Sequence, residues 1–311
     1  MDYHLLHRAG RPGAWRPIVG VVALVAWMFF FASIVVVTPF LVVAGLQGKD
    51  VGDVFTTLVD LDNPTPASLA FLNLALASLI PATFVVSWLL HGLKPGWLTS
   101  VMPRMRWRFF VACLGLAVVA LVATLLVSAL LPQSGAADGA EISGDLNAWT
   151  STTRDFALVV LFLTPFQAAG EEYLFRGYLT QAVGGLFGSR TVAVVVPAVL
   201  FALAHGIGQS LPVFVDRLAF GLVAGVLVIV TGGLEAGIAM HVLNNWLAFG
   251  LALAYGDLAS SLNPTGGSWW SLPATLTQSL VFLGLVWWLS RRNQLRTTVD
   301  PLVLEPSAGR V

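Results

Sequence analysis

The sequence has few charged residues and only one cysteine. Asp, Glu, Lys and Arg make up 10% of its 311 residues, whereas a typical soluble domain carries about a quarter. With so few charged residues the folded chain cannot form a fully hydrated surface. Lipid must therefore surround much of it. Cys113 stands alone in an apolar run, which excludes an internal disulfide framework and argues against a thiolate metal site.

The signatures of several enzyme classes are also missing from the sequence. It contains no Gly-x-Ser-x-Gly elbow, no His-Glu-x-x-His zinc motif, and no dinucleotide or P-loop fingerprint. We identify no internal repeat and no soluble domain. The basic loop from Lys94 to Arg108 is interpreted as a topology determinant facing anionic lipid, so no nucleic-acid partner is expected.

The sequence does contain a series of long apolar runs, and a helix needs about 20 apolar residues to cross a bilayer. We therefore predict an all-α, polytopic transmembrane helix bundle that forms a single membrane domain over residues 1–311. Within it, residues 18–131 hold three N-terminal spans, and residues 156–255 hold the core helices. Residues 272–289 form the last span, and residues 297–311 are predicted to be a disordered tail. The predicted spans number about eight: 18–46, 67–90, 109–131, 156–175, 191–205, 212–230, 236–255 and 272–289.

The charged residues between these runs alternate in sign and predict the orientation. Basic clusters precede the first span, follow the second and fourth, and follow the last, whereas the alternate loops are acidic. The first run is too long for a signal-peptide core and is expected to be retained as a helix. Both termini are therefore expected in the cytoplasm of a multi-pass protein of a bacterial inner or plasma membrane.

Polar residues interrupt the fourth to seventh runs, and the first of them form the segment Ala-Gly-Glu171-Glu172-Tyr-Leu-Phe-Arg176-Gly. Ionisable groups in membrane helices are costly and usually face a bundle interior or a wet cavity. On a helix, Glu172 and Arg176 can pair at i and i+4, while Glu171 is rotated by about 100° and left free for proton transfer. The alternative interpretation is an interfacial ion pair without chemistry.

Three further polar side chains lie in the fifth and seventh runs. His205 ends an apolar run, where an interfacial histidine bonded to a neighbouring helix is the alternative interpretation. His241 and Asn245 share one helix face and can donate hydrogen bonds to one point, although they can also serve as polar contacts between helices. Asn244 is expected to point elsewhere.

Asp216 and Arg217 lie in the sixth run and are interpreted as structural, with Arg217 a candidate to reach the site. Together the polar elements supply a general base, a histidine that could assist the base or bind a metal, two hydrogen-bond donors for an oxyanion, and a cation that pairs with one carboxylate. That combination is typical of a hydrolase that activates water.

At these residues the chain resembles the CPBP family of intramembrane proteases, which includes type II CAAX prenyl endopeptidases and abortive-infection-like proteins. The family pattern Glu-Glu-x-x-x-Arg stands at 171–176, Phe-x-x-x-His at 201–205 and His-x-x-x-Asn at 241–245. The resemblance implies an intramembrane endopeptidase in which Glu171 and His205 activate water. It also implies that His241 and Asn245 form the oxyanion hole.

In the same way, the resemblance implies supporting roles for Glu172 and Arg176 and no obligatory cofactor. Its implied partners are the lipid bilayer and a membrane protein or peptide substrate, with or without a lipid modification. The predicted site comprises catalytic residues and one supporting arginine: Glu171, Glu172, His205, His241, Asn245 and Arg176.

Other functions remain open at this point. Glu171, His205 and His241 offer two nitrogens and an oxygen, as in a catalytic zinc site with an open water position, so a zinc-dependent protease is one alternative. A non-catalytic membrane scaffold or immunity protein is another, and a transporter with a proton relay is the third.

The predicted span boundaries also raise a problem of depth. Glu171 lies about 16 residues, or roughly 24 Å, from the external end of its span, whereas His205 lies near that end of the next. A shared site therefore requires a break in the fourth span around 165–170, or a shifted or re-entrant fifth span.

Overall fold

The computed structural model describes residues 1–131, 145–206, 208–256, 258–262 and 267–300. Within these ranges the regular structure is helical, and the only β pairing consists of isolated bridges, which confirms the all-α class. A 3-10 helix, Tyr3–Ala9, comes first, and π-helical turns lie at Trp27–Phe31, Ser87–His91 and Tyr173–Leu179. The α-helices are α1 (Trp15–Ala26), α2 (Ala32–Leu46), α3 (Val51–Val59), α4 (Pro66–Ala77), α5 (Leu79–Val86), α6 (Gly96–Thr99), α7 (Trp107–Leu130), α8 (Ser151–Phe162), α9 (Thr164–Glu172), α10 (Thr180–Phe187), α11 (Arg190–Ala204), α12 (Leu211–Thr231), α13 (Glu235–Tyr255), α14 (Leu258–Leu262) and α15 (Ser271–Arg292).

Continuous helical segments of this chain are long and apolar enough to cross a membrane, with mean hydropathies of 1.3 to 2.9. Large apolar side chains face outward on them; Val111 and Leu126 of α7, for example, are 63% and 65% exposed. Such surfaces require lipid rather than water as their solvent. Among the described residues six segments qualify: Trp15–Leu46, Pro66–His91, Trp107–Leu130, Leu211–Thr231, Glu235–Tyr255 and Ser271–Arg292.

These six segments coincide with six of the predicted spans, and the chain is a multi-pass membrane protein. The predicted span 191–205 corresponds to α11, which is apolar but shorter. The predicted span 156–175 is divided between α8, α9 and a π-helical turn. The count of eight and the cytoplasmic location of both termini remain predictions.

The break in the fourth predicted span lies at Leu163. α8 ends at Phe162 and α9 begins at Thr164, with Pro165 in its first turn. Proline lacks a backbone N–H and disfavours the helical conformation in the residue before it, so it suits the start of a new helix. The break expected around 165–170 is therefore present just ahead of that range, and it separates α8 from the helix that carries the two glutamates.

α13 lies at the centre of the bundle, packed against α7, α9 and α12. Its first half buries small residues, Ala236, Gly237 and Ala239, which let neighbouring helices approach closely. On the α9 side, a Cβ at Gly170 would collide with the Leu76 carbonyl oxygen of α4. Small residues thus bring the helices that carry the polar side chains into direct contact.

A buried ion pair anchors the start of α13. Glu235, its first residue, accepts from Arg106 at 2.7 Å (Nη2 to Oε2) and 2.8 Å (Nε to Oε1), and from the Arg106 backbone N–H at 3.0 Å. Arg106 also donates to the Thr231 carbonyl oxygen at 2.9 Å. This bidentate contact fixes the helix whose second turn carries His241.

The first residues of the chain contact residues 298–299, which follow the last helix. Asp2 pairs with Thr298 in an isolated antiparallel bridge, and the Val299 N–H donates to the Met1 carbonyl oxygen at 3.0 Å. Val299 is buried. The start of the segment predicted to be a disordered tail is thus paired, because its backbone and an apolar side chain find partners there; residues 301–311 lie outside the described residues.

Candidate active site

Glu172 and Arg176 form an ion pair in the interior of the protein. Glu172 ends α9 and Arg176 lies in the π-helical turn that follows, with Nη1 at 3.1 Å from Oε1. Their side chains are 0% and 1% exposed. The predicted i, i+4 pairing is confirmed, and in such a position each charge depends on the other for compensation.

Aromatic rings surround the Arg176 guanidinium. Its Cζ lies 4.1 Å from the centre of the Phe201 ring and 5.9 Å from that of Phe220. Cation–π contacts of this kind reduce the cost of burying a cation. Sequence reasoning assigned no role to these rings, although Phe201 begins the Phe-x-x-x-His motif and was visible there.

His241 lies between the two glutamates. Its Nδ1 is 2.9 Å from Glu172 Oε1, and its Nε2 is 3.5 Å from Glu171 Oε2. An ionised carboxylate only accepts hydrogen bonds, so Nδ1 carries a proton. Nε2 can then donate only when the ring is doubly protonated.

Gly237 lies one turn before His241 on α13 and makes room for Glu172. A Cβ at Gly237 would lie 2.8 Å from Glu172 Oε2. Any larger residue would therefore push the carboxylate away from His241.

Gln167 connects Glu171 to Asn245. Gln167 Nε2 donates to Glu171 Oε1 at 2.8 Å, and Asn245 Nδ2 donates to Gln167 Oε1 at 2.9 Å. Gln167 is 7% exposed. Sequence reasoning missed it, although a polar residue four positions before Glu171 on the same helix was a usable signal.

Glu171 lines a cavity, and one of its carboxylate oxygens makes no hydrogen bond within the described part of the chain. Oε2 is buried and has no hydrogen-bond partner among the described residues. The cavity has a volume of about 350 Å³, and Glu171, His205, His241 and Asn245 all line it. The structure therefore brings these four predicted residues to one space, with Glu172 and Arg176 packed behind them.

His205 is exposed and has a defined ring orientation. Its Nδ1 lies 2.8 Å from the Phe201 carbonyl oxygen. Because a carbonyl only accepts, Nδ1 carries the proton and Nε2 of the neutral ring is left as an acceptor. That is the form of histidine that can take a hydrogen bond from water.

One assignment from the sequence differs from the structure. Asn244, expected to point elsewhere, lines the same cavity as Asn245, because the cavity spans more than one row of α13 side chains. Asp216, interpreted as structural, also lines it, as does Arg217, which was the candidate to reach the site. The cavity walls also include apolar side chains from several helices: Met28, Phe29, Leu69, Leu72, Leu76 and Phe249.

The zinc alternative requires Glu171, His205 and His241 to surround one ion. Glu171 and His241 approach to 3.5 Å. Among the described residues, however, no group of three or more His, Cys, Asp or Glu side chains could hold a metal ion. The set Glu171, His205 and His241 therefore does not fit a preformed zinc site in this conformation.

The fold and the site define a multi-pass helical membrane protein with a glutamate–histidine cluster in its interior. Residues 153–247 match the family model of Rce1-like, type II CAAX prenyl endopeptidases. This range contains every predicted site residue, so the resemblance to the CPBP family is confirmed over that segment.

One curated protein shows a further similarity. The chain is 28% identical over 144 residues to an uncharacterized protein, YyaK, of Bacillus subtilis (strain 168). The match covers 43% of this chain and 48% of the relative, so it spans about half the length of that protein.

Proposed function

We propose that the chain is an intramembrane endopeptidase that hydrolyses a peptide bond with water activated by Glu171. The observation that carries this proposal is that Glu171, whose Oε2 has no hydrogen-bond partner among the described residues, lines a cavity together with His205, His241 and Asn245. A buried carboxylate oxygen without a partner is costly unless something fills the space in front of it. Water is the molecule that the reaction requires there.

In the proposed first step, the water donates hydrogen bonds to Glu171 Oε2 and His205 Nε2, both acceptors. Glu171 takes one proton as the water oxygen attacks the scissile carbonyl carbon, and a tetrahedral intermediate forms. When the intermediate collapses, the carbon–nitrogen bond breaks and Glu171 returns the proton to the leaving amine.

The developing oxyanion needs donors from the other side of the cavity. Asn245 uses one N–H on Gln167, and the amide has a second one to offer. His241, whose ring lies between the Glu171 and Glu172 carboxylates, is the second proposed donor. Two such donors are the usual composition of an oxyanion hole.

Substrates are proposed to be membrane proteins or peptides that enter from the lipid. The apolar walls of the cavity suit an extended apolar segment or a lipid chain more than a soluble peptide. The family description names CAAX prenyl endopeptidases, so a prenylated C-terminal peptide is the first candidate to test.

The experiment uses the full chain, purified and placed in liposomes. A prenylated CAAX-type peptide, its unprenylated form and a pool of apolar membrane peptides are offered, and the products are identified by mass spectrometry. Cleavage by the parent should be lost in Glu171→Ala and His205→Ala. The matched control is Asp155→Ala, which removes a 46% exposed carboxylate and should leave cleavage unchanged.

Two outcomes would overturn the proposal. If Glu171→Ala and His205→Ala cleave as well as the parent, the residues have been assigned wrongly. If a chelator abolishes cleavage and added zinc restores it, a metal-dependent mechanism is the correct one. A scaffold role predicts instead that Glu171→Gln lowers thermal stability without changing biological activity.

A further inference from the structure

Gln167 is the only buried amide side chain among the described residues that contacts both Glu171 and Asn245. It lies on α9, one turn before Glu171, whereas Asn245 comes from α13. It therefore connects the helix that carries the proposed base with the helix that carries a proposed oxyanion donor. Neither the family motifs nor the site predicted from the sequence includes this residue.

The directions of these hydrogen bonds follow from Glu171. An ionised carboxylate cannot donate, so Gln167 must present its NH2 group to Glu171 Oε1. Its carbonyl oxygen then points the other way and must receive a donor, which the NH2 group of Asn245 supplies. The negative charge of Glu171 thus determines, through Gln167, that Asn245 turns its NH2 group rather than its carbonyl oxygen toward Gln167.

That orientation matters for the reaction. With Nδ2 held by Gln167, the second N–H of Asn245 is available to a substrate oxygen beside it. If the Asn245 amide were turned over, its carbonyl oxygen would occupy that position and repel an oxyanion. A Gln167 contact on Oε1 also leaves Oε2 as the oxygen of Glu171 that makes no hydrogen bond to any described residue.

We propose that Gln167 is a positioning residue that aligns the base Glu171 and the oxyanion donor Asn245 through one directed chain of hydrogen bonds. This inference rests on the proposed function. Gln167 itself lines the cavity, but its amide nitrogen and oxygen are bonded to Glu171 and Asn245. Its proposed effect on the reacting atoms passes through these two side chains.

Two substitutions separate positioning from mere packing. Gln167→Met keeps the length of the side chain and removes both hydrogen bonds. It should lower kcat by about 10- to 100-fold, the effect expected for losing hydrogen bonds that include one to a charged group. KM should change less than kcat, because methionine fills a similar space at this place in the cavity wall.

Gln167→Glu gives a signature that a packing role would not produce. While the introduced carboxyl is protonated, it can donate to Glu171 and accept from Asn245, as glutamine does. Once ionised, it faces the Glu171 carboxylate and cannot donate. Activity relative to the parent should therefore be highest at low pH and decline as the pH rises.

The matched control is Gln181→Met. Gln181 is another buried glutamine, 0% exposed, and donates to the Trp97 carbonyl oxygen at 2.8 Å. Its loss should reduce thermal stability and leave kcat and the pH profile as in the parent.

The measurements use the liposome assay above, with the peptide of that panel that the parent cleaves and Glu171→Ala alongside. If the parent is active and Glu171→Ala inactive, but Gln167→Met has the parental kcat or Gln167→Glu the parental pH profile, the positioning role is refuted and the protease assignment stands. If the parent and Glu171→Ala behave alike, the protease assignment fails.

In that last case infrared spectroscopy still tests the contact. The carboxylate bands of Glu171, assigned by difference against Glu171→Gln, should shift in Gln167→Met and remain in place in Gln181→Met. Unshifted bands in Gln167→Met would overturn the inference without any activity measurement.

Discussion

Replacing Arg176 by methionine would leave the Glu172 carboxylate, which is 0% exposed, without its cation. Removing one partner of a buried ion pair typically costs about 3–5 kcal/mol, because the remaining charge is buried and unpaired. We expect a loss of that size in the free energy of unfolding. Glu172→Gln, which strands the Arg176 guanidinium instead, should cost a similar amount.

The double variant provides the decisive comparison. Glu172→Gln combined with Arg176→Met removes both charges of this pair, so its destabilisation should be smaller than the sum of the two single effects by about 2–3 kcal/mol. The measurement is reversible unfolding in mixed detergent micelles, followed by circular dichroism. Single and double effects that add to within about 0.5 kcal/mol would refute the coupling.

A surface pair supplies the control for this cycle. Arg154 and Asp155 lie 2.8 Å apart, with side chains 59% and 46% exposed. Exposed pairs contribute about 0–1 kcal/mol, so Arg154→Met should hardly change stability. A similar loss at both sites would mean that burial does not determine the cost.

Three further predictions follow from other parts of the structure. Gly237→Ala should lower stability by about 1–3 kcal/mol and reduce cleavage, because the added Cβ would lie 2.8 Å from the Glu172 carboxylate. Gly250→Ala on the same helix has open space around the added Cβ and should do neither. Thermal unfolding and the liposome assay test both variants. Burial lowers the pKa of His7 well below its ordinary value, so its contribution to stability should be complete above about pH 6.5 and decline below it by up to ~1.4 kcal/mol per pH unit. The stability of His7→Phe should therefore fall less steeply than that of the parent between about pH 7.5 and pH 5, and an unchanged slope would contradict this. Cys113 is 0% exposed, so a maleimide should label it only after denaturation in dodecyl sulfate, and labelling of the native protein would contradict its position.

The sequence predicted features that depend on local spacing. Apolar runs placed 109–131 close to the observed helix Trp107–Leu130, and the i, i+4 rule paired Glu172 with Arg176 correctly. Such features depend on the length of a helical turn or the thickness of the bilayer, and both lengths are general to membrane helices rather than particular to this fold.

The motifs predicted that Glu171, His205, His241 and Asn245 share a site, but not the contacts between helices that support it. Glu235 pairs with Arg106, a residue 129 positions away, and Gln167 reaches Asn245 on another helix. No period in the sequence encodes such distances, since they depend on how the helices cross. The position of Asn244 in the cavity was missed for the same reason.

The site residues come from helices that are far apart along the chain, and this has a consequence for biosynthesis. α9 carries two carboxylates, and the turn that follows it carries a single arginine. This segment therefore has one negative charge in excess, which opposes its entry into the hydrocarbon. His241 follows only after α11 and α12 have been made. A ribosome-bound chain should therefore hold α9 at a wet interface or inside the translocon until α13 arrives. Truncation before α13 should leave the glutamates accessible to water-soluble carboxyl reagents.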